Sequence, residues 1–253
     1  MKNFFFLFFF LNILFVNSQK NIMIENVSFF KTDPFSNFYF CTNNKLIKVD
    51  SQLNKLEYDF SKFGKLKKII PKNPMRIILF FEETQKIIFL DKNLNKLNLN
   101  LDLQEFQNNI ISDIDTHSSL IYLLSEKNQK MCIYNFKKNK IIECVVDFIR
   151  KKEYLKLFLF KQKILLINNS EVSILNNNLI EESKIKLEGC NDIFFDKDLL
   201  YIQKKNKLYK TKLTNLSKLK FINTIKENEL IDVNENILYK YHKNFLIEET
   251  LSK

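Results

Sequence analysis

The sequence predicts an all-β chain: a six-bladed β-propeller with four-stranded antiparallel blades, placed after a cleaved export signal. Three observations predict it. Short apolar runs alternate with polar turns, and no 3.6-residue periodicity persists. One strand pattern recurs six times at an average spacing of about 40 residues, the period of a propeller blade. The last repeat stops one strand short, while a spare strand stands ahead of the first.

The chain begins with Lys2 and an apolar run over residues 4–16 broken only by Asn12, followed by Val16-Asn17-Ser18. A positive start, a short apolar stretch and a small residue at the cut define a secretory signal peptide. The run is shorter than the roughly 20 residues needed to span a bilayer. The first cysteine after it is Cys41, which argues against a lipoprotein anchor. The expected division is 1–18 signal peptide and 19–253 propeller. The expected location is the periplasm or beyond, soluble and without a membrane-spanning segment.

Roughly 235 residues then remain for folding. They come from a chain that is 45% hydrophobic and contains 26 Phe, so wholesale disorder is excluded. With 2 Gly, 3 Pro, no Trp and no Ala, there is no glycine-rich phosphate loop. Abundant Lys, Asn, Ile and Phe are what an AT-rich genome produces. The formal charge of +11 has to be weighed against that bias.

Past Gln19, runs such as Phe38-Tyr39-Phe40, Ile77-Ile78-Leu79-Phe80-Phe81 and Ile164-Leu165-Leu166-Ile167 are β-branched or aromatic and bounded by turn formers. The turns are rich in Asn, the residue best able to take a positive φ where Gly is scarce. A helical pattern covers only residues 103–108. The recurring strand begins at Lys45, Lys86, Lys130, Glu171, Lys207 and Asn244, at intervals of 41, 44, 41, 36 and 37 residues. Each copy follows an apolar strand, and all but the last precede another, including residues 97–101 after the second copy. Residues 22–25 are placed to supply the missing outer strand of the last blade and close the ring. Successive apolar residues in the middle strands fit sheets covered on both faces, whereas a two-layer sandwich, the competing all-β reading, would alternate more cleanly.

Segments of the first two repeats carry a resemblance. Asp33-Pro34-Phe35-Ser36-Asn37-Phe38-Tyr39-Phe40, then Lys72-Asn73-Pro74-Met75-Arg76-Ile77-Ile78-Leu79-Phe80-Phe81, resemble an exported propeller-like family of Bacteroidetes. That family has a D-x-x-G-N-x-Y strand, an L-x-K-Y-D strand and an S-N-P-L-K-I-L-L-F-Y strand in this order. Ser36 stands where the family has glycine, and Lys72 where it has serine. The resemblance implies a Gram-negative envelope protein and brings no catalytic residues.

Cysteine spacing gives no C-x-x-C pair, hence no zinc site. Cys132 and Cys144 would face each other if Lys137-Lys138-Asn139 closed a hairpin. The preferred reading is four small buried hydrophobes, because disulfides between neighbouring strands are uncommon. For a calcium-dependent hydrolytic propeller acting on a saccharide or lactone, the alternative function, the candidate ligands are Glu82, Glu83, Glu126, Asn191 and Asp192. Asp115-Thr116-His117-Ser118 holds triad residue types, but adjacent residues rarely face one another. No cofactor and no catalytic or metal residue is expected. Nucleic acid is not expected as a partner either, since Lys outnumbers Arg 38 to 2 and the bidentate fork is nearly missing. The expected function is a non-enzymatic protein-binding platform in the bacterial envelope, beside an outer-membrane assembly or export component. The candidate partner-binding residues are Phe35, Phe63, Phe106, Tyr154 and His242.

Overall fold

Tight Asx loops and two-sided burial set the architecture, as seen in a computed structural model that describes residues 18–99, 101, 111–125, 130–146, 156–168, 170–216 and 218–251. The expected helical stretch 103–108 lies outside the described residues. Six antiparallel sheets follow one another in sequence. Blade 1 comprises β2 (Phe29–Thr32), β3 (Phe38–Cys41), β4 (Lys45–Val49) and β5 (Lys55–Asp59). Blade 2 has β6 (Lys68–Ile70), β7 (Ile77–Phe81) and β8 (Lys86–Leu90). Blade 3 has β9 (Asp113–His117), β10 (Leu120–Ser125), β11 (Lys130–Asn135) and β12 (Lys140–Val146). Blade 4 has β13 (Lys156–Phe160), β14 (Lys163–Ile167), β15 (Glu171–Leu175) and β16 (Glu181–Lys186). Blade 5 has β17 (Cys190–Asp196), β18 (Leu199–Lys204), β19 (Lys207–Lys212) and β20 (Lys220–Thr224). Blade 6 joins β21 (Leu230–Asn234), β22 (Ile237–His242) and β23 (Phe245–Thr250) to β1 (Ser18–Asn21) from the other end of the chain.

Two details differ from the sequence reading. Among the described residues blade 2 has three strands: in place of a strand over residues 97–101 there is an isolated bridge, Leu90 to Lys96, and a bond from the Leu97 N–H to the Phe89 carbonyl at 2.8 Å. The closing strand is Ser18–Asn21, four residues before the expected segment, pairing antiparallel with β23. Ile22 and Ile24 leave that ladder and bury their side chains between blades 6 and 1.

Burial explains the unbroken apolar runs. All five residues of β7 are buried, but Ile77, Leu79 and Phe81 pack toward blade 1 while Ile78 and Phe80 pack toward blade 3. The same split recurs in β14, where Ile164 and Leu166 face one neighbour and Leu165 and Ile167 the other. The core is therefore six clusters, one at each blade junction.

The turns place many residue types at positive φ, not Asn alone. Leu53, Leu94 and Leu179 adopt φ of 67°, 62° and 60°. In each loop an Asp or Asn three positions earlier fixes the conformation. Asp50 Oδ1 accepts from the backbone N–H of Gln52 and Asn54, Asp91 Oδ1 from those of Asn93 and Asn95, and Asn176 Oδ1 from those of Asn178 and Ile180. Asp33 does the same around Ser36, φ 58°, the position of the family glycine. Leu53 is 47% exposed and Leu94 only 4%. Leu53→Gly is expected to stabilise the fold by about 0.5 kcal/mol through relief of backbone strain. Leu94→Gly is expected to cost about 2 kcal/mol or more, because it empties a core position. Denaturant midpoints of the two variants moving in the same direction would refute this account.

Cys132 and Cys144 stand directly opposite each other on β11 and β12, Cα atoms 4.1 Å apart, and form a disulfide. This corrects the preferred reading of four unlinked cysteines. The hairpin loop, Phe136 to Asn139, brings the two strands into the register that opposes them. Cys41 and Cys190 are free thiols, and burial pushes them up to about 11 and about 12 respectively, so neither is a thiolate at neutral pH.

Candidate functional site

The innermost strands β2, β6, β9, β13, β17 and β21 surround the central channel, where a ligand-binding propeller would place its chemistry. They bring lysines and aspartates together from distant parts of the chain. Lys31 Nζ lies 3.0 Å from Asp232, Lys68 Nζ 3.1 Å from Asp113, Lys72 Nζ 2.8 Å from Asp115, and Lys156 Nζ 3.3 Å from Asp192. Each pair joins one blade to the next.

The aspartates are also committed to backbone. Asp232 Oδ2 accepts from the Thr32 N–H at 2.7 Å and from the Thr32 hydroxyl at 2.8 Å. Asp113 Oδ2 accepts from the Leu157 N–H at 2.6 Å, and Asp115 Oδ2 from the Leu159 N–H at 2.7 Å. Burial pushes the Asp113 carboxyl above its usual range, against the opposing pull of Lys68 and these N–H donors. Burial works to lower Lys31, but the carboxylates of Asp232, Asp192 and Asp115 outweigh it and hold the ammonium above the ordinary lysine value. Two of the lysines also sit over aromatic rings, Lys31 over Phe194 at 4.7 Å and Lys68 over Phe158 at 4.8 Å. A cavity of about 230 Å³ remains at one mouth, with Phe158 and Phe194 among its walls.

This arrangement bears on metal chemistry. A divalent cation needs several uncommitted oxygens on one point. Among the described residues no group of three or more His, Cys, Asp or Glu side chains is placed to hold one. Glu82 pairs with Lys67 on a turn away from the channel, and Asp192 pairs with Lys156 on its wall. Glu126 lies outside the described residues. The Asp115-Thr116-His117-Ser118 stretch does not assemble a nucleophile with a base. Asp115 is bound by Lys72 and two N–H groups, the Thr116 hydroxyl donates to the Leu120 carbonyl, and His117 is exposed at the strand end.

The three candidate partner residues that are described, Phe35, Phe63 and His242, do not form one patch. Phe35 is 68% exposed in the β2–β3 loop, beside the channel mouth lined by its neighbour Pro34. His242 ends β22 and so lies on the opposite face of the ring. Phe63 is half-buried, its ring 5.4 Å from that of Phe81 with Lys62 above it, and serves as packing between blades. Phe106 and Tyr154 lie outside the described residues.

Sequence reasoning missed Met75, which is 58% exposed in the β6–β7 loop, on the same face as Phe35. A signal was available: the three prolines of the chain, Pro34, Pro71 and Pro74, all fall in these two loops, and Pro71 lines the same mouth as Pro34. Proline fixes φ and stiffens the loops that carry both apolar side chains. Arg76, next to Met75, lies over the Phe136 ring at 4.2 Å and donates to the Ser118 carbonyl at 2.6 Å, tying the second loop to blade 3.

No family model matches the sequence. No curated protein matches it either. Among solved structures, the chain is similar to one in the crystal structure of the mitotic checkpoint complex, with a TM-score of 0.66 at 8% identity, covering 92% of this chain and 93% of that one. It is also similar to the Cps50 (Swd1) β-propeller domain of Myceliophteria thermophila, with a TM-score of 0.57 at 13% identity and coverages of 89% and 84%. A third similarity is to PorZ, a bacterial surface component of the type-IX secretion system of Porphyromonas gingivalis, with a TM-score of 0.54 at 11% identity. That match covers 89% of this chain and 33% of PorZ. At these identities the likeness shows the β-propeller fold and nothing finer.

Proposed function

We propose that the protein is exported after cleavage of residues 1–18 and acts as a non-enzymatic protein-binding platform in the bacterial envelope, beside an outer-membrane export or assembly component. The observation that carries this reading is the rim of blades 1 and 2. There, Phe35 and Met75 stand exposed on proline-stiffened loops above a channel whose carboxylates are committed to lysines and backbone. Rigid, exposed apolar anchors lose little entropy on binding and suit recognition of a protein surface. Three further points support the setting. A disulfide such as Cys132–Cys144 is favoured in an oxidising compartment, which supports export. The motifs of the first two blades resemble an exported family of Bacteroidetes. One solved neighbour is a surface component of a secretion system.

The test is cross-linking of the tagged protein in intact cells, compared with a Phe35→Ser/Met75→Ser variant. A stoichiometric envelope partner that is lost in the variant, with its melting temperature unchanged, is the expected result. Repeated failure of the parent protein to capture any stoichiometric partner would overturn the reading.

A further inference from the structure

The outer half of blade 5 is charged unlike those of blades 1, 3 and 4. From Leu199 to Lys226 the sequence has eight lysines and no Asp or Glu. The outer strands of blades 1, 3 and 4 carry Glu57, Glu143, and Glu181 with Glu182, and lysines answer several of them: Lys45 with Glu57 at 2.8 Å, Lys163 with Glu182 at 2.6 Å. On β20 there is no carboxylate to answer. Lysines instead stand opposite lysines, Lys210 across from Lys220 and Lys204 across from Lys207. Like charges directly opposed in a ladder are destabilising.

Four of the nearby acids are already engaged, and Glu227 and Glu229 lie beyond Lys226. Asp198 pairs with Lys161 at 2.6 Å, Asp192 with Lys156, and Asp196 accepts from the Asn236 N–H. Glu249, which reaches β20 from blade 6, is shared by Lys240 and Asn223. Lys205, Lys207, Lys212, Lys218, Lys220 and Lys226 are exposed and form no ion pair with a described carboxylate. Among them stands Phe221, 51% exposed, its ring resting edge-on against Tyr209 at 6.0 Å.

We infer that the outer edge of blade 5 docks the propeller onto an anionic lipid bilayer. Charge complementarity points to an anionic occupant. The chemistry favours headgroups over an acidic protein, because the six exposed cations are all lysines, mobile point charges without the planar fork that fixes a carboxylate bidentately. Long lysine stems with an aromatic at their centre match a membrane interface, where the ring enters the acyl boundary and the ammoniums stay with the phosphates. Compositional bias toward lysine raises the charge of every blade, but it does not clear carboxylates from the 28 residues between Leu199 and Lys226.

The proposal is independent of the rim proposed above as a protein site, and either can fail alone. The test is co-sedimentation of the full chain with vesicles of phosphatidylcholine alone or with 30% phosphatidylglycerol. Binding is expected to the anionic vesicles only, and to weaken with salt. Lys207→Glu/Lys212→Glu/Lys218→Glu/Lys220→Glu should lower the vesicle affinity by about a hundredfold or more, since each lysine at an anionic surface is worth roughly fivefold. A control, Lys65→Glu/Lys92→Glu/Lys138→Glu/Lys186→Glu, makes the same change in net charge on other blades and should lower it less than threefold. Phe221→Ser should weaken binding with its salt dependence unchanged. Equal losses in both quadruple variants, equal binding to neutral vesicles, or capture by an acidic protein but not by anionic vesicles would each overturn the proposal. Melting curves confirm that each variant is folded.

Discussion

Asp232→Ala is expected to lose about 3–5 kcal/mol of stability and about 10 °C in melting temperature. The carboxylate closes the junction between the last blade and the first. It accepts from Lys31 Nζ at 3.0 Å, the Thr32 N–H at 2.7 Å and the Thr32 hydroxyl at 2.8 Å, and its side chain is 8% exposed. Alanine leaves a partly buried ammonium and a strand N–H without this acceptor, and stranded donors cost more than the bond itself contributes. Asp232→Asn should cost less, about 1–2 kcal/mol, since one oxygen can still accept from the Thr32 N–H. Glu57→Ala is the surface control. Its pair with Lys45 is about half exposed on both sides, so less than 1 kcal/mol is expected.

The pH dependence has a definite sign. Lys31 is held above 10.5, so its contribution is complete below that value and disappears as pH rises through the raised one. The gap between parent and Asp232→Ala should therefore be flat from about pH 6 to 9 and narrow only above 10.5. A loss under 1 kcal/mol at neutral pH would show that this carboxylate does not hold the ring junction.

What the sequence disclosed follows from how a propeller is stabilised. Each blade is buried on both sides by its neighbours, so its middle strands must be apolar at successive positions, and Ile77 to Phe81 or Ile164 to Ile167 reveal this without any long-range information. The closing strand was located to within four residues. Ile22 and Ile24 look like a strand because they are apolar, yet they fill the junction core. Ser18–Asn21 pairs with β23, and its sequence, Ser-Gln-Lys-Asn, leaves no hydrophobic trace. Residues 97–101 mislead for the reverse reason: Leu97 and Leu101 pack on the blade 2–3 cluster without a sustained ladder.

The channel was not legible. Its ion pairs join residues 45 and 201 positions apart, and nothing local marks Asp113 or Asp232 as different from a surface aspartate. Residue type also cannot separate Phe35, which stands in solvent, from Phe63, which packs on Phe81. That difference is made by the rings around them.

A chain beginning at Glu25 is expected not to form the closed propeller. It lacks the β1 ladder and the Ile22 N–H bond to the Asn244 carbonyl, and it removes Ile22 and Ile24 from the cluster they share with Phe30, Phe40 and Tyr241. It also removes the Ile22 and Ile24 carbonyls, at 3.0 and 2.9 Å from the Tyr241 hydroxyl, and leaves that buried donor only the Asn244 Oδ1 at 3.3 Å. Two core isoleucines at about 2–4 kcal/mol each, with the lost hydrogen bonds, approach the whole stability of a domain of this size. The bare edge of β23 would then invite pairing with a second chain, so concentration-dependent association should accompany the loss of structure. A chain beginning at Gln19, the product of the proposed cleavage, keeps three of the four ladder partners and both isoleucines, and should melt within a few degrees of the full chain. Adding a peptide of residues 18–26 should restore the melting transition of the shortened chain, because pairing of the strand with β23 is coupled to closing the ring. Cooperative melting of the chain from Glu25 at the parent temperature would mean that the ring closes without its N-terminal strand.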